Sequence, residues 1–490
     1  MKKLLSIILA GVMVMSATLL AGCKNGGDGG NTTVLTIEVD GGGDTGNFNT
    51  TTAQPFPYNE LATLLKEWED LNPGYKVQLR RTSYGGDQAS LIPLLKARKA
   101  PDIIYQNGSV KESHIGNNYY VPYNDYLDKP NPYNDNKPWR EVYQSTELDA
   151  TVASDGNYYY MNLERLAAGI LYNKTFFDEH NIKVPETYGE FMEAQAQIAA
   201  LGKIPYLAQY PWYNIILETN IFSDLIEQLD VIRTNGVVDM EEMIRGYKKG
   251  IWTPDCDEYR RYIDLICEKA KYEPVGGAGY DPITSFLRGD TVMIEATGES
   301  MRKAHYNKVK GFTEGVTGYP YLTNEDLGLD GKTPGSYCYR GTAGTATSWW
   351  VTQSATRKGT VDKCMDLMMF LTSPKYNNRM IGKMAGAIPL DPMAKVDDYL
   401  QPLVDMYNED VKKTGDEKCV GWGAFSSWGC LGLEYNSFFL QEINMMLGKK
   451  DANGNVSKAD RETTINNIIS YTATKINSLY TENVYDESKW

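Results

Sequence analysis

The chain has 490 residues, 42% of them hydrophobic, with 49 Lys and Arg set against 63 Asp and Glu for a net charge of −14. That length exceeds what one compact core accommodates, so two domains are expected, and so acidic a surface argues against nucleic acid or an anionic membrane surface as a partner. Seven cysteines form no CxxC pair, and His114, His180 and His305 are too scattered to assemble a zinc cluster.

The first 22 residues read as a processing signal. Lys2 and Lys3 give a positive start, residues 4–20 are apolar apart from Ser6, Ser16 and Thr18, and Leu20-Ala21-Gly22-Cys23 matches a bacterial lipobox. The run is slightly short for an uncleaved membrane helix. The lipobox resemblance implies cleavage before Cys23 and lipid on its sulfur. Residues 23–32 are Gly-rich and polar, the composition of a flexible tether.

Val34–Val39 alternates like a first strand. Leu61, Leu64, Leu65, Trp68 and Leu71 mark one face of a helix that Asn72-Pro73-Gly74 stops, and Val77 and Leu79 alternate in a second strand. Ser90 is placed to cap a helix that tolerates Pro93 in its first turn. Pro101–Tyr105 returns as a third strand, and strands alternating with helices predict a parallel, doubly wound sheet. Residues 117–136, crowded with Tyr, Asn, Asp and Pro, read as an irregular surface segment before Trp139.

A strand at Gly169–Tyr172 leads to a short helix, Thr175–His180, ending at Asn181. Thr187 and Glu190 form a capping box; the helix they open carries Phe191, Ala194, Ile198 and Leu201 at helical spacing and closes at Gly202. Tyr210-Pro211-Trp212-Tyr213 reads as a loop before an apolar helix. Cys256 and Cys267 flank or share one helix, roughly 16 Å apart at 1.5 Å per residue, so free thiols are preferred to disulfides among the six cysteines beyond Cys23. The helix with Val361, Met365, Met368 and Leu371 reads as core. Gly421–Gly432 is a loop carrying Trp422, Phe425 and Trp428, and two helices close the chain, the last with Ile465, Ile468, Ile469, Ile476 and Leu479. Asp451-x-Asn453-x-Asn455 with Glu462 imitates a calcium loop, but Val456 replaces its glycine, so an Asn453-Gly454 turn is the better reading. The sequence contains no G-x-S-x-G, H-E-x-x-H or P-loop.

Tyr172-Asn173-Lys174, joined through the short helix to Pro185-Glu186-Thr187-Tyr188-Gly189-Glu190-Phe191, resembles the hallmark of family 1 extracellular solute-binding proteins, the maltose-binding-protein-like group. Asn72-Pro73-Gly74 and Pro101-Asp102 fit that family's first lobe. Phe286-Leu287-Arg288-Gly289 with Met293 matches its Phe-x-x-Gly-x-x-x-Met pattern, and Gly386-Ala387-Ile388-Pro389 fits its closing pattern. Ser300 departs from it, standing where many sugar binders place an aromatic. The resemblance covers nearly the whole chain after Cys23, in order. It implies an α/β, two-lobed periplasmic-binding-protein-like fold in which each lobe is a mainly parallel sheet flanked by helices. Lobe one would comprise residues 33–165 and 346–395, and lobe two residues 166–345 and 396–490. The chain would cross between lobes near residues 157–169, near residues 345–351 and after Pro389, making a multi-strand hinge.

Neutral sugars need flat aromatics for their ring faces and polar side chains for their hydroxyls. Trp212 matches the family's aromatic loop on lobe two, and Trp422 and Trp428 lie in a later lobe-two loop. Trp349 and Trp350 lie at the return crossing, where strand alternation turns one of them toward the cleft. From lobe one, Gln106 and Asn107 follow the third strand, Tyr84 and Asp87 follow the second, and Glu164 and Arg165 lie at the first crossing. The expectation is a monomeric binding protein, lipid-anchored through Cys23 on the outer face of a bacterial cytoplasmic membrane. It would capture a carbohydrate, an oligosaccharide by preference, for the permease subunits of an ABC transporter, without cofactor, metal or catalysis. A lipid-anchored glycoside hydrolase, needing two carboxylates ~5–10 Å apart, stays open as an alternative. So does a binder of peptides or charged solutes.

Overall fold

Short strands, most of them buried on both faces, build two separate sheets, joined by a ribbon that belongs to neither. The computed structural model describes residues 32–39, 60–81, 88–106, 112–143, 148–149, 151–153, 155–208, 211–274, 280–334, 340–341, 348–381, 387–391, 394–414 and 425–490. Within them the strands are β1 (Thr33–Val39), β2 (Tyr75–Arg81), β3 (Ile103–Gln106), β4 (Tyr160–Asn162), β5 (Glu164–Leu166), β6 (Ala168–Asn173), β7 (Ile204–Leu207), β8 (Thr291–Thr297), β9 (Glu314–Thr317), β10 (Ser348–Val351) and β11 (Ala387–Pro389).

The first sheet has the order β2-β1-β3-β10-β4 and the second β7-β8-β6-β9. In each, one strand runs against the rest: β10 is antiparallel to β3 and β4, and β6 to β8 and β9. That odd strand is the one reached from the other half of the chain. The fold is therefore two-lobed α/β with mainly parallel sheets, as the sequence leads one to expect.

Local chemistry sets the elements of the second lobe. Asn173 caps the helix Lys174–His180 by accepting from the Phe176 N–H, and Asn181 ends it in the left-handed conformation. Thr187 and Glu190 form the capping box of the helix Tyr188–Ala200, which buries Phe191, Ala194 and Ile198. Gly202 follows at φ +77°. Near the C-terminus, the Asp451 carboxylate accepts from the Asn453 and Asn455 N–H groups, at 2.8 Å each, and Gly454 turns at φ +79°, so this segment is a turn. Cys256, Cys267, Cys364 and Cys430 are free thiols. One expectation shifts: the helix around Pro93 begins at Gln88. Ser90 therefore lies inside it, and Pro93 falls in the second turn.

The ribbon pairs β11 with β5 in antiparallel register, Ile388 opposite Arg165. Its side chains serve both lobes. Leu163, Ala387 and Leu390 pack into the lobe-one core with Met380 and Ile381, while Ala167 and Ile388 pack with Leu171, Ala296 and Leu403 of lobe two. A single residue, Leu163, separates β4 from β5, and only Ala167 separates β5 from β6. Two separate cores are thus joined through a few residues.

Candidate binding site

The parallel strands of both sheets point their carboxyl ends at this ribbon. In lobe one, Gln106 ends β3 beside Ser348, which pairs in turn with Asn162 just before β5. In lobe two, Thr297 ends β8 opposite Ala168, the first residue of β6. The carboxyl ends of β3 and β8 therefore adjoin the ribbon from both sides, and open α/β sheets bind ligands at such carboxyl ends. A cavity of 360 Å³ lined by Thr175, Lys308, Lys310, Phe312 and Thr313 lies elsewhere. It adjoins the Asn173–Glu314 end of β6, a strand length of roughly 20 Å from the ribbon.

Lobe two presents Trp212 at this edge. Trp212 opens the helix Trp212–Phe222 shortly after β7, and its ring is half-buried against the lobe-two core. The next residue is fully fixed. The Tyr213 N–H donates to Glu295 Oε1 at 2.8 Å, and its hydroxyl donates to the Pro320 carbonyl at 3.0 Å. Its ring stacks on Tyr319 at 5.1 Å and meets the edge of Phe191, from the capping-box helix, at 5.6 Å. Tyr319 donates its hydroxyl to the same Glu295 oxygen at 3.0 Å. Burial holds both phenols well above the usual tyrosine range, so they remain donors at any physiological pH. Gly341, at φ +98°, lies against the Tyr319 ring where a Cβ would clash.

The same helix carries a second attachment. Glu218, fully buried, accepts from the Ser427 hydroxyl at 2.6 Å and the Ser427 N–H at 3.3 Å, and Thr219 donates to the Phe425 carbonyl at 2.7 Å. Helix Ser427–Cys430, which carries Trp428, is thereby bound to the helix that carries Trp212.

The structure assigns other sequence candidates differently. Trp349 and Trp350 do point to opposite faces of β10, but both faces are covered and both rings are 0% exposed. Trp349 packs among Met365 and Met368, and Trp350 stacks on Tyr160 at 4.5 Å and leans on Tyr120 at 4.6 Å. β10 lies inside its sheet, so alternation sends each ring into a core and neither toward ligand. Glu164 and Arg165 are also buried. Arg165 donates to the carbonyls of Leu390 at 2.9 Å and Pro389 at 3.4 Å, and its guanidinium lies 4.9 Å from the Tyr407 ring centroid. That side chain fastens the ribbon to a lobe-two helix, Gln401–Thr414. Ser300 is buried in the first turn after β8 and accepts no aromatic role. Tyr84, Asp87, Asn107, Trp422 and Cys23 fall outside the described residues, as do the side chains of Gln106 and Trp428.

Sequence reasoning missed Glu295, Tyr319, Glu218 and Ser427. Glu295 had a signal, since it is the one ionisable residue in the strand Thr291–Thr297. Among the described residues no group of three or more His, Cys, Asp and Glu could hold a metal ion, and no helix is long and apolar enough to cross a membrane. What the site offers is a partly buried indole beside a hydrogen-bonded helix start.

A family model described as bacterial extracellular solute-binding protein matches residues 63–411. Comparison with curated proteins finds no sequence match. Among solved structures, the bacterial solute receptor AcbH, described as exclusive for β-D-galactopyranose, superposes with a TM-score of 0.61 at 11% identity, covering 90% of this chain and 99% of AcbH. A family 1 extracellular solute-binding protein from Bifidobacterium longum subsp. infantis gives 0.58 at 15% identity, covering 92% and 100%. A cyclo/maltodextrin-binding protein complexed with maltotetraose gives 0.55 at 15% identity, covering 92% and 99%. At such identities these likenesses establish the fold.

Proposed function

The chain belongs to the bacterial extracellular solute-binding protein family, and from that premise we propose that it captures a neutral carbohydrate, an oligosaccharide by preference, and hands it to the permease of an ABC transporter. The observation that carries this reading is Trp212: a large, partly buried ring at the carboxyl edge of a sheet, on a helix whose start is otherwise locked. A sugar's apolar face stacks on such a ring, and burial of the pair supplies affinity. The sugar ligands of AcbH and of the maltotetraose complex point the same way. The family's description as solute-binding supports binding without turnover.

The lobes, taken as residues 33–165 with 346–395 and residues 166–345 with 396–490, would close about the β5–β11 ribbon. Ligand held first by lobe two would gain contacts from lobe one only in the closed state, and that difference drives closure. Cys23 would carry the lipid that holds the protein outside the membrane, and fatty-acid labelling of wild type but not of Cys23→Ser tests that anchor. The functional test is a thermal-shift screen against galactose, maltotetraose and a panel of neutral oligosaccharides, followed by product analysis. A raised melting temperature with intact sugar supports the reading. Cleavage abolished by one Asp or Glu substitution, or stabilisation by peptides or charged solutes alone, overturns it.

A further inference from the structure

We propose that Glu295 is a positioning residue for the sugar site: it caps the Trp212 helix from a neighbouring strand and thereby sets the direction of the Trp212 ring. The inference rests on the carbohydrate reading above and deepens it. The first N–H groups of any helix need acceptors from outside the helix. The neighbouring helices that begin after Asn173, Thr187, Asp239 and Thr297 obtain one from their own cap residue. Pro211, the cap residue here, supplies none. Glu295 takes its place from 82 positions away in sequence, accepting the Tyr213 N–H at 2.8 Å.

The geometry makes this more than a local hydrogen bond. Glu295 is 0% exposed on β8, between the buried Ile294 and Ala296, where an acidic side chain is costly without bonded partners. Tyr319 provides a second donor to the same oxygen, and the Tyr319 ring stacks on Tyr213. One carboxylate therefore fixes both the backbone that precedes the second helical residue and the ring that supports it. Trp212, directly before Tyr213, has its backbone direction decided by that contact while its ring stays half open.

The test compares Glu295→Leu, Glu295→Gln and Tyr319→Phe with wild type in two measurements. Hydrogen exchange in the ligand-free protein reads the cap itself. In Glu295→Leu, amides of residues 212–217 should exchange about tenfold faster, with β1 and β2 unchanged, because a buried hydrogen bond is lost. Glu295→Gln keeps an acceptor oxygen and should restore most of that protection, and Tyr319→Phe should fall between. Calorimetric titration with the best sugar of the panel reads the consequence, and Glu295→Leu should weaken binding about tenfold. In a Trp212→Ala background the same Glu295→Leu change should cost almost nothing further, since its effect passes through the ring. A purely structural role predicts equal losses in both backgrounds and overturns the proposal. Unchanged exchange at residues 212–217 overturns it too. If Glu295→Leu does not fold, Tyr319→Phe and Glu295→Gln carry the same comparison. If wild type binds no sugar, the carbohydrate reading fails, and the exchange data alone uphold or overturn the cap.

Discussion

Trp350 in lobe one and Trp212 in lobe two both belong to elements near the ribbon between the sheets, yet the first is wholly enclosed and the second partly exposed. The difference comes from the elements that carry them. β10 lies within a sheet packed on both faces, so each of its alternating side chains meets a core: Trp349 on one side, Trp350 between Tyr160 and Tyr120 on the other. Trp212 is the first residue of a helix that is otherwise almost wholly buried, and at that end its ring keeps partial exposure. The exposure of a tryptophan near a cleft is therefore set by its place in its element: the interior of a central strand encloses it, and the first residue of a helix leaves it partly exposed.

Trp350→Ala gives the largest effect that this contrast predicts. Removing a fully buried ring from between two aromatic neighbours should cost about 3–5 kcal/mol of stability, measured by denaturant unfolding, with sugar affinity unchanged in the folded fraction. A stable variant with lost affinity would erase the distinction between the two tryptophans.

A smaller effect separates the lobes by pH. In lobe one, Arg379 holds the Glu67 carboxyl below its ordinary range, so that contribution is present above the usual carboxylate pKa and fades as pH falls. In lobe two, burial raises the Glu242 carboxyl, with the nearby Asp230 adding to the shift, although Arg233 and Ile232 N–H groups oppose it. Its folded form stays protonated while the unfolded chain ionises. The contribution is full below about pH 4.3, the ordinary glutamate value, and is lost as pH rises through the raised folded value. Glu242→Gln mimics the neutral acid. Its melting temperature should gain on wild type as pH climbs from about 5 to 8, and parallel curves would contradict the assignment.

How much of this was legible in the sequence depended on how local the cause was. Asn173, Asn181, Thr187 and Glu190 act within a few residues of themselves, and their roles could be read directly. So could the fate of Ile465, Ile468, Ile476 and Leu479, because helical spacing defines a buried face. The burial of Trp349 and Trp350 was not legible, since a strand's sequence does not say whether one or both faces will be covered. Arg165 was misread for a related reason: its partners, Pro389, Leu390 and Tyr407, lie more than 220 positions away. Glu295 and Tyr213 are likewise brought together only by the packing of a helix over β8.

The central claim is that lobe two offers the Trp212 ring to a sugar. Calorimetric titration of wild type and Trp212→Ala with the panel sugar that stabilises best, paired with melting curves, tests it most directly. Loss of a stacking surface worth roughly 1–3 kcal/mol should weaken binding about tenfold or more, while a half-open ring costs little stability. Unchanged affinity together with a large fall in melting temperature would make Trp212 a packing residue and contradict the account.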